Sequence, residues 1–482
     1  MAHVKALLDR VLNRPDLVFL CIAFLIAVPC ALFVPAGAGA DEPTHVARIL
    51  QIAEGRIFSS VVSRDEIQIV DVPDGDDDIF GGASDSAIME LCVRNMTRFQ
   101  GERMSSVFPT WNDSEYGRSD DAGNGTLPFP FSNTAVNSPL PYLPSVLTYK
   151  FMSLFSNSSY WLVIAMRFGN VAAFLLLSLV CIRLVPVGKW VFTAVCTLPG
   201  LLAVFSMATA DSISFCICML FLALLLKYLY TPNTVTNLTN LLLVITCCCL
   251  GLIKLTYIPL IGLLILLPIC RKEFRTPSRV AFLSGAFLAA LVVFFIWYMQ
   301  IHSINTGAIY RSTIDPDTQK ELLLLKPLYV LKLAVLDLLS QPLFGFGGIG
   351  VIRATEKAAY SGIFSLVIFI CALLYCGDGE RKFRCSMTDK QVNIILASFL
   401  LITCVVSLLI ELALFLQFTP VGTPAILGVQ DRYFYALFPL VMFAAILLFH
   451  TSSSSRKTGA LLVGCELLNV CVMFIVIRYG IF

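Results

Sequence analysis

Charge is what this sequence has least of. Only 14% of its 482 residues are Asp, Glu, Lys or Arg, against about 25% in ordinary soluble domains. Histidine and tryptophan are scarce too, at 4 each. With 57% hydrophobic residues and a mean hydropathy of +0.82, the low charge excludes a soluble enzyme, a disordered chain and a disulfide-stapled secreted domain. No Gly-rich phosphate loop follows a strand, and no His/Cys spacing reads as a zinc or haem site. No face is basic enough for a nucleic-acid partner. Cysteine is plentiful, at 17 residues, but most lie in apolar runs, such as Cys216, Cys218, Cys247, Cys248, Cys249, Cys404, Cys465 and Cys471. There cysteine packs as a small hydrophobe. What remains is an all-α polytopic membrane protein.

Long apolar runs and a charge split are what the sequence does have. Residues 37–158 hold 17 acidic and 8 basic residues, a balance of −9, while the rest carries +11. Cys92 is the only cysteine of this acidic block, which therefore has no internal disulfide. Apolar runs at 17–34, 160–184, 190–208, 212–230, 238–252, 257–269, 280–300, 358–375, 392–417, 433–449 and 460–477 predict about eleven spans. The chain then divides into a first helix (1–36), a large extracytoplasmic loop with amphipathic surface helices (37–158) and a multi-helix domain (159–482).

Lys5, Arg10 and Arg14 place the N-terminus in the cytoplasm of a cell membrane. A cleaved signal peptide is the alternative, since Ala38-Gly39-Ala40 resembles a cleavage site; the run is longer than the usual h-region of about 7–15 residues. With eleven spans, Arg183/Lys189, Arg271/Lys272/Arg275/Arg279, Arg381/Lys382/Arg384 and Arg456/Lys457 all face the cytoplasm and the acidic block lies outside. Runs 238–252 and 257–269 are short, with Lys254 between them. Merging them into one tilted helix would break the charge agreement, so two are kept. Outside lie a polar stretch, 302–326, and an apolar one, 327–349, with Lys332 and Asp337 among leucines. The latter reads as an amphipathic helix on the membrane or as a re-entrant hairpin.

Candidate chemistry clusters at the expected outer boundary. In the stretch from Asp41 to Gly55, Asp41 suits an N-cap, Pro43 the first turn and Gly55 the stop. Val46, Ile49, Leu50 and Ala53 share an apolar face, so a helix lying on the outer leaflet is expected, opening with two carboxylates. Asp41 and Glu42 read as candidate catalytic carboxylates, against a plain cap and a solvated side chain. Asn137-Ser138-Pro139-Leu140-Pro141-Tyr142 leads stiffly into a second surface helix, 145–154. Asp211 opens the fourth span and suits an N-cap. Lys254 is either a snorkelling lysine or a phosphate ligand. Arg432 is either an interface anchor or a phosphate partner. The Asp74, Asp76, Asp77, Asp78 run lacks EF-hand spacing and reads as a solvated loop. Asn95, Asn112 and Asn124 open glycosylation sequons, a common chance motif.

Taken in order, Asp41-Glu42-Pro43-Thr44-His45, Asn137-Ser138-Pro139-Leu140-Pro141-Tyr142, Ala210-Asp211-Ser212, Lys254-Leu255-Thr256-Tyr257 and Gly428-Val429-Gln430-Asp431-Arg432-Tyr433-Phe434 resemble a bacterial family of uncharacterised multi-pass membrane proteins allied to GT-C glycosyltransferases. Asp431 stands where that family usually has glycine. The resemblance implies a GT-C-like helical bundle with its catalytic acid, Asp41 or Glu42, after the first helix. It implies a polyprenyl-phosphate sugar donor entering from the lipid bilayer and a surface glycan acceptor. Lys254 and Arg432 would hold the donor phosphate; His45, Arg48, Tyr142, Asp211 and Tyr257 are further candidates for substrate binding. No cofactor is called for, and the sequence leaves a divalent metal open. The rival classes are a transporter or flippase, and a scaffold subunit without activity. Against transport stand the large first loop, the boundary clustering of polar residues and the absence of a repeat of halves.

Overall fold

A computed structural model describes residues 2–74, 77–101, 121–123, 125–310, 313–340, 356–375, 387–449 and 456–479. Among these, seven helical stretches are long and apolar enough to cross a membrane: Pro15–Phe33, Ser159–Leu184, Asp211–Tyr230, Pro277–Ile301, Asp389–Gln417, Asp431–Leu448 and Lys457–Phe474. Shorter apolar helices cover Asn237–Leu252, Leu255–Cys270 and Ser365–Tyr375. The expected eleven spans thus meet seven long helices, three short ones and one break.

The break falls in 190–208. That run forms two short helices, Lys189–Cys196 and Pro199–Phe205. Pro199 has no N–H to continue the first helix and forces Leu198 into an extended conformation, with ψ 124°. The short run at Leu255–Cys270 has a different logic. Its first part, Leu255–Ile265, is a 3₁₀ helix containing Pro259, and Leu266–Cys270 is α-helical. A 3₁₀ helix rises about 2.0 Å per residue against about 1.5 Å for α, so these two pieces together reach about 30 Å, the thickness of a hydrocarbon core.

The two ends of the bundle differ in charge. Asp16, opening the first span, pairs with Arg14 and with Arg183 at the end of Ser159–Leu184, each at 3.1 Å. Arg271 donates to the Leu229 carbonyl at the corresponding end of Asp211–Tyr230. Asp41, Asp211, Lys254 and Arg432 gather at the other end.

The acidic block departs from the all-helical expectation. It folds over that second end with a three-stranded antiparallel sheet, in the order β1 (Ser60–Val61), β2 (Phe80–Asp85), β3 (Thr126–Pro130). Gly81 pairs with Pro130, and a Cβ there would sit 2.2 Å from the Phe129 carbonyl oxygen, so the strands approach this closely only at glycine. Beyond Phe80, nothing in Phe80-Gly-Gly-Ala-Ser-Asp85 has high β propensity, so the sequence hid the strand.

The helix expected after Asp41 forms over Glu42–Ala53, and Gly55 follows it at φ +84°. It is not a surface helix: the only residues of it not buried are Thr44 and Ile52. Its apolar face joins a core with Ile88, Leu91, Cys92, Phe129, Tyr142 and Val163. Its polar side is enclosed as well, because Arg48 finds the carbonyls of Ile57 and Asn137 at 2.7 and 3.1 Å and also bonds Gln51. The second surface helix begins slightly earlier than expected, at Leu143–Met152, with Leu147 and Phe151 outward.

Pro327–Ser340 is helical, buries Val330, Leu333 and Ala334 toward Asp389–Gln417, and turns Leu328 and Leu339 outward. The run Gly345–Gly348, the basic group 381–384, Asp76 and the sequon asparagines Asn112 and Asn124 lie outside the described residues. Asn95 is buried, its amide donating to the Ala36 carbonyl at 2.9 Å. All described cysteines are free thiols, most of them buried.

Candidate functional site

Asp41 stands at the N-cap of Glu42–Ala53, yet its side chain caps nothing. Among the described residues it is the only non-glycine with positive φ, at 56°. That left-handed conformation is uncommon but tolerated best by Asp and Asn. The carboxylate is directed away from the helix. Its Oδ2 accepts from Arg432 Nη2 at 2.6 Å, and its Oδ1 accepts from the Tyr310 hydroxyl at 3.2 Å. Tyr310 in turn accepts from Asn133 at 2.7 Å.

Arg432 reaches a second carboxylate. Its Nε lies 3.1 Å from Asp211 Oδ2, close enough for an ion pair but without hydrogen-bond geometry. Asp211 is the first residue of its helix rather than its cap; Ala210 holds the cap position. The other Asp211 oxygen pairs with Lys254 Nζ at 2.6 Å. Lys254 also stands 4.2 Å from the centre of the Tyr433 ring, and Arg432 5.3 Å from it, so one aromatic ring contacts both cations. Tyr433 is held by its carbonyl, which accepts from the Tyr257 hydroxyl at 2.8 Å.

The chain Asp41–Arg432–Asp211–Lys254 thus joins four segments far apart in sequence. Its inner members are closed off: the side chains of Arg432 and Asp211 are 3% and 6% exposed. Its outer members are part-exposed, with Asp41 at 29% and Lys254 at 24%. Burial pushes the Asp41 carboxyl up; the Arg432 charge, His45 and the bonds from Arg432 and Tyr310 outweigh it and hold the group below the usual carboxylate range.

Glu42, one residue on, has a different environment. It is fully buried, and Arg167 grips it bidentately, Nε to Oε1 and Nη2 to Oε2, both at 2.7 Å. The amides of Gly39 and Ala208 add bonds at 3.0 Å each. Gly39 is needed there, since a Cβ would sit 2.7 Å from Met207 Cγ. Arg167 spends its remaining donors on the carbonyls of Ala31, Val34 and Pro35, which end the first span.

His45 lies between these groups and stays neutral. Burial lowers its pKa to about 4, although Asp211 and Asp41 pull the other way. Its ring nitrogens meet the Tyr142 hydroxyl at 2.8 Å and Thr209 Oγ1 at 3.4 Å. Burial drives Tyr142 well above the usual phenol range. Arg48, brought down to about 10 by burial, points to backbone carbonyls rather than to the open carboxylate.

So the structure gathers Asp41, Asp211, Lys254 and Arg432 in one ion network, with Tyr257 supporting it through Tyr433 and His45 beside it. Glu42, Arg48 and Tyr142 are enclosed nearby. Sequence reasoning passed over Arg167, although a lone arginine inside an apolar span was a usable signal. Tyr310 and Asn133 gave no signal of their own. Among the described residues no group of three or more His, Cys, Asp or Glu side chains is placed to hold a metal ion.

No curated protein and no solved structure matches the chain. The family described as predicted membrane protein (DUF2142) matches residues 24–441, a stretch that holds every residue of the ion network, and the chain belongs to that family.

Proposed function

We propose that the protein is a membrane glycosyltransferase of GT-C-like architecture. It would move a sugar from a polyprenyl phosphate to a surface glycan on the extracytoplasmic side. The observation that carries this reading is the pairing of one open carboxylate with one open ammonium across a buried Arg–Asp link. Inverting transfer needs a base for the acceptor hydroxyl and cations for the leaving phosphate. Asp41 takes the hydroxyl proton as the acceptor oxygen attacks the anomeric carbon. The bond from that carbon to the phosphate oxygen breaks, and Lys254 and Arg432 take up the charge on the departing phosphate. Glu42 anchors the loop to the first span through Arg167.

A lipid-linked donor fits better than a nucleotide sugar. The network opens at the end of an apolar bundle, where a polyprenyl tail can lie among the helices. Purified protein in lipid vesicles should transfer sugar from a polyprenyl phosphate and stay inert with nucleotide sugars alone. Transfer from a nucleotide sugar without a lipid carrier would refute the reading. The extracytoplasmic placement has its own test. A cysteine at Asp71 should react with an impermeant thiol reagent in whole cells, and one at Lys272 should not; the reverse pattern would invert the topology.

One observation favours transport as a second reading. Glu466 is fully buried in Arg456–Tyr479 and accepts from Thr197, at the break between Lys189–Cys196 and Pro199–Phe205, at 2.7 Å. Broken helices facing an ionisable residue recur in transporters. Substrate counterflow that is lost in Glu466→Gln would support this reading.

A further inference from the structure

The ion network is already neutral: Asp41 and Asp211 balance Arg432 and Lys254. A phosphate arriving at such a site meets no uncompensated positive charge, and its anionic oxygens must compete with a carboxylate already in place. The two carboxylates are not equally replaceable. Asp211 is buried and bridges both cations. Asp41 is part-exposed, sits on strained left-handed backbone and holds Arg432 through a single oxygen. Arg432 Nε, buried next to Asp211, has no hydrogen-bond acceptor in good geometry, so the guanidinium is not fully engaged. The other Asp41 oxygen has a separate tether in Tyr310, itself held by Asn133.

We propose that a phosphate binds by taking the place of Asp41 Oδ2 on Arg432, and that this exchange frees Oδ2 to serve as the base. The inference rests on the glycosyltransferase reading and deepens it. A carboxylate clamped by an arginine is a weak base, so the site is idle until the donor's phosphate occupies Arg432. Tyr310 keeps Asp41 in place through Oδ1 during the exchange, which makes Tyr310 a positioning residue. The ligand chemistry is a phosphate ester on a lipid; free phosphate shares the same group and is the control.

The exchange makes a prediction opposite in sign to that of a simple binding carboxylate. Asp41→Asn keeps a residue that accepts positive φ but removes the competing charge. The probes are a short-chain prenyl monophosphate and inorganic phosphate, each titrated against the full-length protein in nanodiscs. Asp41→Asn should bind the prenyl phosphate more tightly than wild type, by up to about fivefold, the factor expected for releasing a part-exposed ion pair. Arg432→Met should bind it more weakly. The gain from Asp41→Asn should vanish in the Asp41→Asn/Arg432→Met double variant, since the two residues act on each other. Tyr310→Phe should leave binding unchanged while lowering transfer.

Wild-type binding with no gain in Asp41→Asn would overturn the exchange and leave the donor-site reading standing. A gain seen with inorganic phosphate and not with the prenyl phosphate would keep the exchange and remove the lipid donor. Binding of neither probe, in wild type and in Asp41→Asn, would overturn both.

Discussion

Asp41 and Glu42 are neighbours of nearly the same chemistry, and the fold gives them opposite environments. Glu42 is sealed, with an arginine fork and two amides on its oxygens. Asp41 is open on one side, held by one arginine nitrogen and one phenol. The contrast shows how a fold can give two adjacent acids different accessibility. One acid fixes the loop to the end of the first span, and its neighbour stands on left-handed backbone beside Arg432 and Tyr310. A buried pair with every lone pair used is structure; a part-exposed pair with spare capacity is available for chemistry.

The contrast can be broken most forcefully at Arg167. Arg167→Met leaves the Glu42 charge buried without a partner, a change that costs about 3–5 kcal/mol. The expected outcome is loss of folded, monodisperse protein, read by thermal melting in detergent. Survival of the variant with a normal melt would mean that the sealed pair is not an anchor.

Removing the open charge should act on catalysis instead. Asp41→Asn is expected to lower transfer by about 10²–10⁴, the usual cost of a lost general base. Its melting temperature should stay near that of wild type, which a melt alongside the transfer assay would check.

His45 tests whether the space between the two acids is as closed as it looks. Its folded pKa, about 4, lies below the unfolded value of 6.5. Between those values the unfolded imidazole takes up a proton that the folded one refuses. Stability should therefore fall as pH drops from 6.5 toward 4, by up to about 3 kcal/mol, and level off below. His45→Gln should flatten that part of a melting-versus-pH curve; an unchanged slope would assign the acid sensitivity to other groups.

The smallest effect is expected from Arg432→Lys. It keeps the charge but loses the planar fork that meets Asp41 with one nitrogen and lies beside Asp211 with another. Activity should recover only in part relative to Arg432→Met, measured as the ratio of initial transfer rates. Full recovery would show that a point charge is enough.

Much of the site was readable beforehand. Asp41, Asp211, Lys254 and Arg432 each stood at a predicted helix boundary, and charge at such a boundary is costly unless paired. What the sequence could not carry was the pairing itself. Asp41 and Asp211 both looked like caps, because a cap is a local arrangement and local spacing is all a sequence shows; their partners lie 391 residues away for Asp41 and at Lys254 for Asp211. The helix Glu42–Ala53 was foreseen to within a residue, but not its burial, since the groups that satisfy Arg48 come from Ile57 and Asn137 in other loops. The β-sheet escaped notice because its middle strand is built of small residues, and the break at Leu198 because an apolar run conceals where a proline ends a helix.

The central claim is that two adjacent acids divide structure from chemistry. Its most direct test sets Asp41→Asn beside Glu42→Gln, each assayed for melting and for transfer from a polyprenyl-phosphate sugar. The account predicts a well-folded, inactive Asp41→Asn and a Glu42→Gln that melts far below wild type, because Arg167 loses its counter-charge. A stable, inactive Glu42→Gln beside a fully active Asp41→Asn would contradict it.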